Sequence, residues 1–183
     1  MLSNSIQKGD EKNTKKFPEK KVINAILLGS KSVGKTTIGQ RLAGKFDSNI
    51  LRAETYGIDF HFLNIKKSNM NIYVQIWDVN FQSYDCNNPK FFLENADILF
   101  LVFDDFHTFK DLLKYKKCIS NSKSTLKYLI SNKVDKEHTQ LDETIIQEFV
   151  NRFDLQYYKI SALKGIHFEE FKQNIIEDIR KLK

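Results

Sequence analysis

Residues 29–36 read GSKSVGKT, the pattern G-x-x-x-x-G-K-T. The apolar run Val22–Leu28 (VINAILL) precedes it and a helix-like segment, Thr37–Gly44, follows. A glycine-bearing loop in that setting turns successive backbone N–H groups toward one point at a helix N-terminus, where an oxyanion is well held. Gly29, Ser32, Val33, Gly34 and Thr37 are then candidate phosphate contacts. Lys35 neutralises the β- and γ-phosphates, and the Thr36 hydroxyl binds Mg²⁺. The alternative is an ordinary glycine-containing βα turn; the strand before and the helix after favour the phosphate loop.

Outward from this loop the chain reads as one α/β domain. Its 183 residues are 41% hydrophobic, enough for a substantial core. Residues 1–20 are polar and rich in Lys and Asn, and are read as a flexible basic extension; 21–183 are read as the folded domain. Residues 1–21 hold six lysines against three acids, about half of the net charge of +6. No arginine and a single aromatic, Phe17, interleave those lysines, which favours a solvated leader over a nucleic-acid arm.

Strand-like runs are Val22–Leu28, Ile58–Lys66, Asn71–Asp78, Ile98–Asp104, Leu126–Ser131 and Gln156–Ile160. Helix-like runs are Lys35–Gly44, Pro89–Glu94, Thr108–Ser120, Leu141–Phe153 and Ile166–Leu182. Their alternation predicts a mainly parallel sheet, with Lys67–Met70 closing one hairpin. The last helix carries Phe168, Phe171, Ile175, Ile176 and Ile179 on one stripe, for packing on the sheet rather than on a membrane.

Other classes find little support. Cys86 and Cys118 are not spaced as a metal pair, and the four histidines have no partner at metal spacing. The sequence MLSNSIQKGD has no apolar h-region, Leu2 stands where N-myristoylation needs glycine, and DIRKLK carries no cysteine for prenylation. The most apolar run, Ala96–Phe103, is too short to span a bilayer. The expectation is a cytoplasmic protein without a lipid anchor, peripheral on membranes only through partners.

A phosphate loop alone admits kinases, ATPases and GTPases. Three segments narrow the choice. Asn132-Lys133-Val134-Asp135 follows the strand Leu126–Ser131 and so faces the ligand crevice at a strand's carboxyl end. A carboxylate there accepts from the ring N–H and exocyclic amine of guanine, which adenine does not offer. Ser161-Ala162, after Gln156–Ile160, brings backbone amides toward the guanine carbonyl oxygen. Trp77-Asp78 ends the third strand, with Asp78 suited to a Mg²⁺ shell.

In these segments the chain resembles the Ras-superfamily GTPases, and the Rab family most closely, from Lys21 to about Leu182. The resemblance implies a P-loop NTPase G domain, α/β, with a six-stranded mixed sheet flanked by about five helices. It implies GTP or GDP with Mg²⁺. ETYGIDF (Glu54–Phe60) stands as switch I, with Thr55 a nucleotide and Mg²⁺ ligand. WDVNFQS (Trp77–Ser83) stands where W-D-T-A-G-Q-E is expected, with Gln82 as the water-orienting residue. NKVD supplies Asn132, Lys133 and Asp135; SAL (Ser161, Ala162, Leu163) replaces S-A-K. Phe46 either stacks on the guanine ring or packs into the core. Thr55 and Asp78 are 23 residues apart, as in Rab proteins. Phe60, Trp77 and Phe92 fall where Rab proteins keep an exposed aromatic triad for effectors, although either phenylalanine can instead pack inward. GKTTI (Gly34–Ile38) and Val79 are Arf-like.

The departures set the expected function. Phe81 replaces the switch II glycine whose N–H meets the γ-phosphate. Lys31 and Ser32 occupy loop positions where small residues are expected; Lys31 either adds charge to the phosphates, obstructs an arginine finger, or points to solvent. The expectation is a switch that engages effectors, and an exchange factor or GTPase-activating protein, through Thr55, Phe60, Trp77 and Phe92, with slow hydrolysis. The alternatives are a pseudo-GTPase interaction module and, against NKVD and SA, a phosphate-loop kinase.

Overall fold

A computed structural model describes residues 19–49, 55, 57–80, 90–136 and 142–182. Six strands form one sheet in the order β2-β3-β1-β4-β5-β6. They are β1 (Glu19–Leu28), β2 (Ile58–Lys67), β3 (Met70–Val79), β4 (Ile98–Phe103), β5 (Leu126–Ser131) and β6 (Gln156–Lys159). β2 pairs with β3 antiparallel, and every other pairing is parallel. β1 begins at Glu19, two residues ahead of the expected start of the domain.

Period-two alternation in β1 explains the two-sided core. Ile23, Ala25 and Leu27 join the layer formed with Ile38 and Leu42 of α1 (Lys35–Leu42) and Phe168, Phe171, Ile175 and Ile179 of α6 (Phe168–Lys181). Ile26 and Leu28 join the opposite layer, with Phe109 and Leu112 of α3 (Phe106–Leu113) and Phe149 and Phe153 of α5 (Glu143–Phe153). The central β4, ILFLVF, is buried at every position, as a strand covered on both faces must be. The α6 stripe docks as expected: four of its five apolar residues are buried, and Ile176 packs against the same cluster half-buried.

The described residues hold six helices rather than about five, because the run expected at Thr108–Ser120 divides. Asp105 caps α3 through a reciprocal box with Thr108 and starts it two residues earlier. At its end Lys114 and Tyr115 donate three residues back, to Asp111 and Leu112, and the tightened turn restarts the chain as α4 (Lys116–Asn121). α2 is short, Lys90–Glu94. The hairpin turn tightens to Ser68–Asn69, with Ser68 at φ 45°.

β1 stands where the connections diverge, toward α1 on one face and from β4 toward α3 on the other. In an open α/β sheet that divergence leaves a crevice beyond the carboxyl ends of the strands. The loop after β1 lies directly in it: a Cβ on Gly29 would sit 2.2 Å from the Val102 carbonyl oxygen of β4, so only glycine permits this approach.

Candidate functional site

The loop Gly29–Thr36 closes around its own lysine. Lys35 is buried, and its Nζ donates to the carbonyls of Gly29 (3.0 Å) and Ser30 (2.9 Å). Burial pushes the ammonium's pKa down, and nearby Asp78 pulls against that shift. Gly34, at φ 99°, takes the left-handed conformation at the start of α1, and a Cβ there would meet Asn132 Nδ2 at 2.2 Å. Ser32 also has positive φ, 63°, without glycine's freedom. Among the described residues no side chain caps α1, and no acid lies in its first turn, an arrangement that fits an anion at its leading N–H groups. Val33 is buried, Ser32 is exposed, and Thr37 lies half-buried in the first turn of α1. A Ser30 Oγ donor to Asp111 Oδ2 (2.7 Å) ties the loop to α3, a contact the sequence reading missed.

Three oxygens meet beside Lys35. Thr36 Oγ1 donates to Asp78 Oδ2 at 2.5 Å and lies 3.0 Å from Thr55 Oγ1, which is 3.5 Å from the same carboxylate oxygen. Hydroxyl and carboxylate oxygens are the donors Mg²⁺ takes. Among the described residues there is no cluster of three or more His, Cys, Asp or Glu that could hold a metal unaided. The corner therefore fits a Mg²⁺ whose remaining ligands are phosphate oxygens and water. Asn80, also missed, fixes this corner: its Nδ2 donates to the Thr55 carbonyl (3.0 Å) and its N–H to that of Gly57 (2.9 Å). Its place two residues beyond Asp78 was its only signal.

The base side is built across three strand ends. Buried Asn132 donates through Nδ2 to Val33 O (2.8 Å) and accepts from Ala162 N–H (2.9 Å), joining the phosphate loop to the segment after β6. Lys133, at φ 64°, pairs with Asp104 at 2.5 Å; that acid closes β4 and was read only as a strand end. Asp135 is exposed. A hydrogen bond from the Ser161 side chain holds its carboxyl below the usual carboxylate range, so it is an acceptor at neutral pH. Leu163 is an exposed apolar residue. Phe46 is half-buried outside both core clusters, with the Arg41 guanidinium 4.0 Å from its ring centroid. Gln82 and Phe81 lie outside the described residues, as do Glu54, Cys86 and residues 1–18.

Phe60, Trp77 and Phe92 do assemble, edge to face, with centroids 5.6 and 5.5 Å apart. The expected exposure needs correction at two members: Phe92 packs inward, 8% exposed, against Trp77 and the layer that holds Ile26 and Leu28, and Trp77 is itself half-buried against that layer. Its neighbour Phe91 is 63% exposed instead, edge to face with Phe92, and Phe60 is 42% exposed.

A glycine loop at the start of α1, an oxygen corner and an exposed carboxylate thus follow the carboxyl ends of the parallel strands and of β3 in one sheet. The sequence model of the Ras family matches residues 24–181. A Caenorhabditis elegans protein, Ras-related protein Rab-28, is 31% identical over 93% of this chain and 73% of its own. Drosophila melanogaster Ras-related protein Rab7 is 29% identical over 90% and 83%, and human Ras-related protein Rab-12 is 27% identical over 87% and 67%. The chain belongs to the Ras family, with Rab proteins as its relatives, and is thereby a GTP-binding molecular switch.

Proposed function

We propose that this protein is a Rab-like switch that holds GDP or GTP with Mg²⁺ between the two halves described above, reads guanine through Asp135, and turns GTP over slowly. The observation that carries the reading is Asn132. One buried amide joins the phosphate loop at Val33 to the base segment at Ala162, so phosphate and purine contacts share a single frame.

In this reading Gly29, Ser32, Val33, Gly34 and Thr37 line the phosphates, with backbone N–H groups as donors. Lys35 exchanges its two carbonyl partners for phosphate oxygens. Thr36, Thr55 and Asp78 hold Mg²⁺ directly or through water, and the ion spreads the negative charge of the β- and γ-phosphates. Phe46 covers a face of the purine, Asp135 takes its N–H edge, and the Ala162–Leu163 segment meets its carbonyl oxygen. Lys133, braced by Asp104, lies alongside. Phosphoryl transfer of this type rests on positioning water and charge, with Gln82 the candidate for water. Three features argue for slow turnover: Phe81 in place of a switch glycine, Lys31 exposed on the phosphate loop, and Asn80 holding Thr55 by its carbonyl. The exposed Phe60, Phe62 and Phe91 beside Trp77 form the surface proposed for effectors and regulators. None of the described helices is long and apolar enough to cross a membrane.

Chromatography of the nucleotide released on denaturing the purified protein tests the binding reading. GDP or GTP is expected. A protein that carries none, and whose melting is indifferent to GDP, GTP and EDTA, would instead be an interaction module. Single-turnover assays with labelled GTP test the rate: hydrolysis slower than in relatives with the glycine is expected, with Phe81→Gly raising it and Gln82→Leu lowering it.

A further inference from the structure

Arg41 lies in the last turn of α1, outside every motif read from the sequence. Its guanidinium works in three directions. Nε donates to the Ala162 carbonyl, and Nη2 donates to the Leu163 carbonyl at 3.1 Å. The plane covers Phe46 at 4.0 Å from the ring centroid and reaches Phe168 at 5.5 Å. Behind it, Lys172 Nζ donates to Arg41's own carbonyl at 3.4 Å. Ala162 is thus gripped on both sides, its N–H by Asn132 and its C=O by Arg41.

The geometry assigns Arg41 as a positioning residue of the guanine pocket: it locks the ring that covers the base and the segment that meets the base's carbonyl edge onto the helix that carries Lys35 and Thr36. This rests on the proposed nucleotide site and adds to it a specificity determinant. Only arginine suits the task. A planar fork donates to two adjacent carbonyls while its face stacks on an aromatic ring; an ammonium is a single point and stacks less well. A cation needed merely to balance the helix C-terminus would be replaced without loss by lysine.

The test uses the full chain loaded with Mg²⁺ and fluorescent GDP, displaced by GDP, ADP or 6-thioguanosine diphosphate. The thio analogue exchanges the carbonyl oxygen for a poor acceptor and leaves the edge facing Asp135 intact. The wild type is expected to prefer GDP to both competitors. Arg41→Ala should release GDP about tenfold faster, as expected for losing one or two charge-assisted hydrogen bonds that position the pocket. It should also erase the preference for oxygen over sulfur, while the preference over ADP persists. Arg41→Lys should shift the same ratio in the same direction by less. If Arg41→Ala is recovered unfolded, the lysine variant decides on that ratio alone. Faster release with the oxygen-to-sulfur ratio unchanged, or rates like wild type in the lysine variant, would overturn the assignment. A wild type that does not distinguish GDP from ADP is a separate result, which removes the nucleotide reading itself.

Discussion

The base half of the site and the switch half are held by different means. On the base side each polar group has a protein partner of complementary type: Asn132 with Val33 and Ala162, Lys133 with Asp104, Asp135 with Ser161. On the switch side Thr36, Thr55 and Asp78 bring oxygens to one another, with only hydroxyl protons to share among them. A donor–acceptor frame is complete within the chain and keeps its shape unaided. An oxygen-only corner is completed by a cation, so its order depends on what is bound. On the proposed function the lesson is a division of labour: one half would recognise a base, and the other would report the state of the phosphates.

Five perturbations bear on that division. The largest effect is expected from Asp135→Asn, which turns the acceptor into a mixed donor and acceptor. GDP affinity should fall by about 10⁴-fold, the scale seen when a buried hydrogen-bonding edge is mismatched. Xanthosine diphosphate should gain affinity, and competition binding measures both. Melting of the nucleotide-free protein should hardly change, which keeps the effect on recognition.

Next is Lys35→Ala. It removes the loop's buried cation, and the loss of charge-assisted bonds to the proposed phosphates predicts GDP binding weaker by about a hundredfold. The discrimination of guanine from adenine among residual binders should survive, since the base half is untouched. Loss of that discrimination would mean the halves are less separate than their contacts.

Asn132→Ala should act on the frame itself. Two buried partners, Val33 O and Ala162 N–H, lose their bonds, at about 3 kcal/mol together. For a domain of this size that lowers Tm by roughly 8 °C. Asn80→Ala, by contrast, releases the Thr55 carbonyl, at about 1 kcal/mol. Its signature should be local: faster amide exchange around residues 55–60 in the GDP form, and a wider difference between the GDP and GTP forms.

The smallest effect is a pH dependence under the switch strand. His61 is buried on β2, its Nε2 has no hydrogen-bond partner among the described residues, and burial pushes its pKa below 6.5; Asp59 and Asp78 oppose this and Lys45 adds to it. The unfolded chain then binds a proton that the native imidazole refuses. Stability should rise with pH from the lowered native pKa up to 6.5 and level off above it. His61→Leu should flatten that slope in denaturant titrations.

Fold and base half were largely legible because local rules and the family's motif spacing agree there. Alternating apolar runs gave the six strands to within about three residues at each end. GSKSVGKT, NKVD and SA each sit at a strand's carboxyl end. The split between α3 and α4 was hidden because the apolar spacing runs on through Lys114 and Tyr115; only the Asp105 cap and the tightened turn break it. Arg41, Asp104, Asp111 and Asn80 were not legible as site residues. Each acts on a partner distant in sequence, from Arg41 to Ala162 across 121 residues to Asn80 and Thr55 across 25, and no periodicity records such a meeting. Whether Phe92 turns inward was left open for a related reason: which of two adjacent phenylalanines does so depends on the phase of the five-residue α2.

The central claim is that the frame joined by Asn132 and ended by Asp135 reads guanine. Competition of GDP and ADP against fluorescent GDP on the intact, Mg²⁺-loaded protein tests it most directly. The account predicts that ADP needs a concentration at least about a thousandfold higher than GDP for equal displacement. Displacement by both at similar concentrations would contradict it.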